Sequence, residues 1–129
     1  MTLNAHTGYI AAVVNALVAA GIPVERWHAD PNEPRDAAII LASGESGEQR
    51  VAGWTEESGW MFGLGPEGAG LDLIWWLRGG VLPHPDDVVQ AVRACLRDDY
   101  SDTSIGRPVY RVAGEDDLDE QLAAYAQQA

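Results

Sequence analysis

The residues of this chain that could do chemistry are few, and their spacing argues against most reactions. Residues 63–68 (GLGPEG) match the spacing G-x-G-x-x-G, which binds phosphate where the loop follows a strand and opens a helix. Here the residues that follow, 71–77 (LDLIWWL), have the pattern of a strand. Glu67 would also repel phosphate, and Pro66 has no amide hydrogen to donate. We therefore expect a flexible hairpin connection and no nucleotide site.

Histidine, cysteine and carboxylate side chains show no recognisable metal site or activated nucleophile. His28 with Asp30, and His84 with the two acids after Pro85, could be ligands, but neither has the His-x-x-x-His spacing of a helical metal site. Cys95 is the only cysteine, which excludes a disulfide within the chain and a multi-cysteine metal site. It falls on the apolar stripe of a predicted helix, so we expect an inert, buried thiol. We predict no catalytic, cofactor-binding or metal-binding residue and favour a non-enzymatic protein.

Composition limits the class of protein and its partners. The chain has 129 residues, 47% of them hydrophobic, which suits one domain with a buried core. Its formal net charge is −12, from 20 acidic and 8 basic residues, and every basic residue is arginine, as is typical of a GC-rich genome. Nucleic acids and anionic lipids are bound by a positive face that displaces counterions. We therefore expect no binding to nucleic acid and none to membranes.

The compartment follows from the first residues of the chain and from its hydropathy. The longest uncharged stretch, residues 3–24, is interrupted by polar residues and glycines, so it does not have the pattern of a membrane span. No lysine or arginine precedes Arg26, and a signal peptide begins with a basic segment. We expect a cytoplasmic protein.

Helices are predicted near both ends of the chain. Residues 5–20 carry an apolar stripe at helical spacing, and Gly21 and Pro23 mark its end. Residues 85–98 carry a second stripe, with Pro85 suited to the first turn. A closing helix is predicted at residues 115–127. The stripe residues are Ile10, Val13, Val14, Leu17 and Val18 in the first helix, Val88, Val92, Cys95 and Leu96 in the second, and Leu118, Leu122 and Tyr125 in the third.

Short strands lie between the first two helices. They are predicted at residues 24–29, 37–42, 50–55, 60–64 and 71–77. Strands joined by short turns pair antiparallel, and strands in a run rather than alternating with helices indicate an α+β fold. We predict an antiparallel sheet of about four to five strands, flanked by an N-terminal helix and two C-terminal helices. Residues 1–129 form one such domain, with a core at about 5–98, a loop at 101–106, and a C-terminal extended segment and helix within 107–128.

The tryptophans are the most informative residues, because the chain has five of them against one phenylalanine. Adjacent strand residues face opposite sides of a sheet, so Trp75 and Trp76 must point in opposite directions. Trp75 belongs to the more apolar row, which we expect to pack on helices, and Trp76 belongs to a mixed row. Either helices cover both faces, or one face is an exposed aromatic patch that meets a partner. The candidate interface residues are Trp54, Met61, Ile74 and Trp76.

The segment from Trp54 to Leu96 also has a family pattern. It contains Trp-x-Glu-x-x-Gly-Trp at 54–60, an apolar run that ends in Trp75-Trp76-Leu77, and Leu-Pro-x-Pro at 82–85 opening a helix. With the Tyr9-Ile10 helix and Asp30-Pro31 upstream, it resembles the small actinobacterial proteins called domain of unknown function 6292. The resemblance covers roughly residues 9–97, and the tail after Tyr100 lies outside it. The family carries no established activity, so the resemblance implies no catalytic residue.

Three hypotheses about function remain open at this point. The leading one is a non-enzymatic protein-binding or regulatory module that uses a sheet face to bind a protein partner or its own copy. The alternative is a small-molecule-binding protein or enzyme with a pocket near the Gly-rich loop 63–70. The third is a DNA mimic that presents its carboxylates to a basic protein. The sequence by itself names neither the partner nor the ligand.

Overall fold

The structure, a computed structural model, describes residues 5–31, 34–42, 47–66, 70–111 and 118–126. It confirms an α+β fold with an antiparallel sheet and three helices. The helices are α1 (Thr7–Ala19), α2 (Pro85–Leu96) and α3 (Leu118–Ala126). The strands are β1 (Val24–Asp30), β2 (Asp36–Leu41), β3 (Glu48–Thr55), β4 (Gly59–Pro66), β5 (Leu73–Leu77) and β6 (Thr103–Ser104).

The first helix forms where the apolar spacing predicts it. Its buried side includes Tyr9, Ile10, Val13 and Leu17, which recur at intervals of three and four residues. Val18, which we placed on the same stripe, is instead 57% exposed. The helix ends because Gly21 takes a φ of +84°, a left-handed conformation that costs a glycine little.

The second helix begins as predicted and carries the lone thiol into the core. His84 precedes it, and its Nδ1 accepts a hydrogen bond of 3.1 Å from the backbone N–H of Asp86. Cys95 is buried, as predicted, together with Val88 and Val92. Burial raises the pKa of this thiol to about 11, with a further contribution from the nearby carboxylate of Asp99. A thiol in this environment is not activated as a nucleophile.

The sheet is a meander of six strands, and the predicted number of four to five was too low. Each strand pairs with the next one along the chain, in the order β1 to β6. The additional strand, β6, lies within residues 101–106, which we predicted to be a loop. It is only two residues long and is defined by the pairing of Thr103 with Leu77 and of Ser104 with Trp76. A strand this short carries no alternation of polar and apolar residues.

The pairing register divides the sheet into two faces that differ in their cover. On the helix face, Ile39, Ala52, Phe62 and Trp75 lie directly opposite one another on β2 to β5. These side chains pack into one core with the buried residues of all three helices. Trp75 stacks on Tyr100 with ring centroids 3.9 Å apart, so its predicted direction toward the helices is confirmed. The opposite face of the sheet is the open face described below.

Candidate interaction surface

The open face is an uncharged surface that spans the four central strands. Two rows of directly opposed residues cross it, one through Ala38, Gly53, Met61 and Trp76, the other through Ile40, Val51, Gly63 and Ile74. Among the described residues, none of these eight belongs to the core cluster that the helices complete. Ile40, Val51 and the two glycines are buried, and Ala38, Met61, Ile74 and Trp76 are partly or fully exposed. An exposed apolar patch of this kind is typical of a binding site.

Small residues on β2 to β4 let neighbouring side chains lie close to the backbone on this face. At Gly63 a Cβ atom would lie 2.4 Å from Cδ1 of Leu71, so only glycine lets Leu71 lie flat on the sheet there. At Gly53 the Cε of Met61 occupies the corresponding space, 2.8 Å from a Cβ position. The result is a groove of about 280 Å³ whose lining includes Ala38, Val51, Gly53, Met61, Leu71 and Trp76.

Charged residues of both signs lie at the border of the open face. Asp30 and Asp36 lie opposite each other at one end of β1 and β2, and Arg26 lies opposite Ile40 farther along β1. On the other side, the guanidinium of Arg107 lies 5.8 Å from the ring centroid of Trp76, within the range of a cation–π contact. Each of these arginines also has a glutamate of its own nearby, because Arg26 pairs with Glu25 and Arg107 lies 4.0 Å from Glu57.

Three of the four predicted interface residues share this face, and one does not. Met61 and Trp76 are directly opposed on β4 and β5, and Ile74, which is 39% exposed, lies next to them in the second row. Trp54 lies on the helix face, so its assignment to the exposed surface was wrong. It is 1% exposed, and its indole N–H donates a hydrogen bond of 2.7 Å to the carbonyl of Val81.

Behind Trp54 the helix face holds a chain of polar contacts. The indole N–H of Trp60 donates to the hydroxyl of Tyr9 over 3.0 Å, and that hydroxyl donates to the carbonyl of Pro83 over 2.6 Å. His6 stacks on Trp54, with ring centroids 5.6 Å apart, and its Nε2–H donates to the carbonyl of Asp36 over 3.0 Å. These contacts give the hydroxyl of Tyr9, the indole of Trp60 and the Nε2 of His6 hydrogen-bond partners and fix α1 to the sheet, while Nδ1 of His6 is buried without one.

A four-charge cluster closes the end of the sheet where the rim aspartates lie. The guanidinium of Arg35 donates two hydrogen bonds of 3.0 Å to the carboxylate of Glu56, and both side chains are almost fully buried. Arg111 donates to the same carboxylate over 2.9 Å, and Asp119 lies 2.8 Å from Arg35. Burial alone would raise the pKa of Glu56, but the hydrogen bonds from Arg35 and Arg111 outweigh it and hold that pKa below its ordinary value.

The segment after β6 connects this cluster to the open face. The backbone N–H of Tyr110 donates to the carbonyl of Glu57 over 2.8 Å, next to the turn between β3 and β4. The Nε–H of Arg107 donates to the hydroxyl of Ser58 over 2.8 Å, which holds its guanidinium beside Trp76. No sequence pattern indicated Arg107, because its contacts depend on residues about 30 and 50 positions away along the chain.

The motifs considered for catalysis take other roles. Gly63 and Gly65 are strand residues of β4, and the next regular element is a strand, so the phosphate-binding geometry does not form. His28 forms a hydrogen bond of 2.8 Å with its neighbour Asp30. Among the described residues, no three His, Cys, Asp or Glu side chains lie close enough together to hold a metal ion.

A cleft of about 570 Å³ lies between the end of β5 and α2. Its lining includes Arg78, Asp87, Asp99 and Asp102, and Arg78 lies 3.4 Å from the exposed carboxylate of Asp102. An ion pair at this exposure is screened by solvent and contributes little to binding or stability. The cleft is therefore a weaker candidate for a binding site than the open face is.

Comparison with known proteins places the chain in a family. A model described as a family of unknown function, DUF6292, matches residues 9–94, which is about two thirds of the chain. The chain belongs to the DUF6292 family. No curated protein and no solved structure matches it. The DUF6292 match includes β1 to β5 and most of α1 and α2, whereas β6, Arg107, Arg111 and α3 lie beyond it. None of the helices in the described ranges is long and apolar enough to cross a membrane.

The four-charge cluster predicts a large effect of one isosteric substitution. Glu56→Gln removes the carboxylate that the two arginines of the cluster share, and it leaves Arg35 the partly exposed carboxylate of Asp119. Removal of one partner of a buried ion pair costs about 3–5 kcal/mol of the free energy of unfolding. Urea denaturation monitored by tryptophan fluorescence measures it. Glu57→Gln is the matched control, because Glu57 lies 4.0 Å from the exposed Arg107 and should contribute less than about 1 kcal/mol. Equal midpoints for the two variants would contradict this account.

His6 predicts how stability depends on pH. Burial lowers the pKa of its imidazole below the ordinary value of 6.5, and the positive charge of Arg35 adds to this, while the hydrogen bond to the Asp36 carbonyl opposes it. As the pH falls through about 6.5, the unfolded chain binds a proton on His6 that the folded protein excludes. The free energy of unfolding should therefore decrease as the pH falls below about 6.5.

Substitution by glutamine isolates this effect, because an amide keeps a donor for the Asp36 carbonyl and does not titrate. In urea titrations at several pH values, His6→Gln should reduce the slope of stability against pH in this range. His28→Gln is the control, because the side chain of His28 is 55% exposed, and it should leave the slope as it is in the parent protein. A parental slope in His6→Gln would show that another group is responsible.

Proposed function

We propose that this DUF6292 protein is a non-enzymatic binding module that uses the open face of its sheet to bind a protein. The observation that carries the proposal is the pair of uncharged rows across β2 to β5, bordered by charges on both sides. An apolar centre with a polar rim is the usual anatomy of a protein–protein interface. We further propose that the protein acts in the cytoplasm.

The side chains on this face suit binding more than catalysis. Trp76 and Met61 are types enriched in interfaces, and both are only partly buried in the isolated chain. Arg107 lies over the ring of Trp76, and the hydroxyl of Ser58 accepts a hydrogen bond from Arg107. A rigid aromatic side chain loses little conformational entropy on binding, which favours it as an anchor.

A pocket near the Gly-rich loop 63–70 is the alternative. A depression of about 310 Å³ lies there, with Glu48 and Asp72 in its lining beside Gly65 and Leu73. Its two carboxylates would favour a small cationic ligand. We prefer the open face because its uncharged rows continue over four strands, whereas residues 67–69 of this loop lie outside the described residues.

Site-specific photocrosslinking in the producing cells tests the proposal. A photoreactive amino acid at position 74 replaces Ile74, the exposed β5 residue of the second row, and one at position 18 replaces Val18 on α1. Val18 is the matched control because it is also a branched apolar residue and is 57% exposed. Position 74 should give a discrete protein adduct that Trp76→Ala removes, and position 18 should give none. Equal labelling from both positions, or no adduct from position 74, would refute the proposal.

Trp75 supplies a second control, because it adjoins Trp76 in sequence and lies on the helix face. Trp75→Ala should cost about 3–5 kcal/mol in urea denaturation, since it removes the stack on Tyr100 and the packing on Phe62. Trp76→Ala should cost much less stability while it removes the adduct from position 74. An equally large destabilisation by both substitutions would mean that both rings are structural.

A further inference from the structure

We infer that the partner bound by the open face is a second copy of this chain, and that a two-fold axis relates the two copies. The axis lies between the two sheets and runs parallel to the strands. It passes midway between β3 and β4. This inference rests on the proposed function and names the occupant of the same face. Sheets that pack face to face keep their strand directions within about 30° of each other. Such an axis therefore brings β2 of one copy over β5 of the other, and β3 over β4.

The sizes of the side chains on the open face are complementary under this operation. Trp76 on β5 meets Ala38 on β2, where the groove of about 280 Å³ provides space for an indole edge. Val51 on β3 lies over Gly63 on β4, where it meets the side chain of Leu71 that covers this glycine. The two Met61 side chains meet near the axis, where a flexible thioether can adjust to its neighbours. Each copy thus offers both a large anchor and a shallow site to receive one, as an isologous interface requires.

The charge distribution favours a second copy over a basic partner. A protein of net charge −12 repels its own copies through most of its surface. The open face is uncharged over its two rows, and the acidic residues at its border are partly compensated by Arg26, which pairs with Glu25, and by Arg107, which lies near Glu57. A face adapted to a basic protein would carry carboxylates across its centre, whereas the two rows of this face carry none.

The same axis also pairs the border charges. It carries Asp30 and Asp36, at the β1–β2 edge of one copy, toward the β5–β6 edge of the other copy. Arg107 stands at that edge, at the same end of the strands, because Ser58 in the β3–β4 turn holds it. The two-fold operation creates this pairing twice, so each copy contributes one arginine and one pair of aspartates to it. Exposed pairs of this kind determine orientation more than affinity.

The size of the face sets the expected affinity. Six strands about 4.8 Å apart and about five residues long cover about 29 by 16 Å, or about 900 Å² for both copies together. This is smaller than the area of about 1,000–1,200 Å² at which stable specific interfaces begin, so the contact between the two copies is a weak, transient one. We expect a dimer with a Kd in the micromolar range that becomes tighter as added salt screens the repulsion between the two negative copies.

Sedimentation velocity of the purified full-length chain, from about 1 μM to about 1 mM, tests the inference. The parent protein should change from monomer to dimer within this range. Trp76→Ala should weaken the dimer at least about tenfold. Arg107→Glu and Asp30→Arg should each weaken it several-fold, and the double variant should recover most of the loss, because the reversed pair attracts again. Arg97→Glu makes the same change in net charge at the exposed end of α2 and should leave the Kd within about twofold.

The outcomes separate this inference from the proposed function. A chain that stays monomeric up to about 1 mM, together with a discrete adduct to a different protein from position 74, overturns the dimer and leaves the binding module intact. A dimer that is unaffected by Trp76→Ala also overturns the inference. A dimer sensitive to Trp76→Ala in which the double charge reversal recovers nothing overturns the two-fold arrangement. Recovery in the double variant supports it even if Arg107→Glu alone weakens the contact with Ser58.

Discussion

The buried ion pair of Arg35 and Glu56 is the constraint on which the rest of this structure depends. Two charges removed from water must compensate each other, and the pair has to form with the start of β2 beside the turn between β3 and β4. Arg111 and Asp119 then join the pair, which brings the C-terminal segment and α3 to the same end of the sheet. This arrangement fixes Arg107 beside Trp76, so the border of the open face is set by the cluster behind it.

The two faces of the sheet differ because three helices cover one of them and the residues of the other are small or uncharged. On the helix face, Trp54, Trp60 and Phe62 are large buried rings, and the indole N–H groups of the two tryptophans donate to the segment before α2 and to α1. On the open face, Gly53 and Gly63 let the side chains of Met61 and Leu71 lie close to the backbone. No helix in the described part of the chain covers this face, which is the surface that we propose binds a second copy.

Much of the fold could be predicted from local patterns, and the remainder depends on contacts between distant residues. The stripe of α1 and the proline and aspartates of α2 are local signals, and the alternation at Trp75 and Trp76 gave the correct face for each. Trp54 was misplaced because residues 51–54 are all buried, so β3 shows no alternation and only its pairing with Trp60 reveals the face. Arg35 and Glu56 are 21 residues apart in the sequence, and no local motif predicts their contact.

The most direct test of the account is a dilution series of two-dimensional ¹H–¹⁵N NMR spectra, in which the five tryptophan indole signals report on both faces at once. If the open face binds a second copy, the Trp76 indole signal and the amides of β2 to β5 should shift with concentration, whereas the Trp54 and Trp60 indoles beneath the helices should not. Shifts confined to α1, α2 and α3, or spectra that do not change from about 10 μM to about 1 mM, would contradict it.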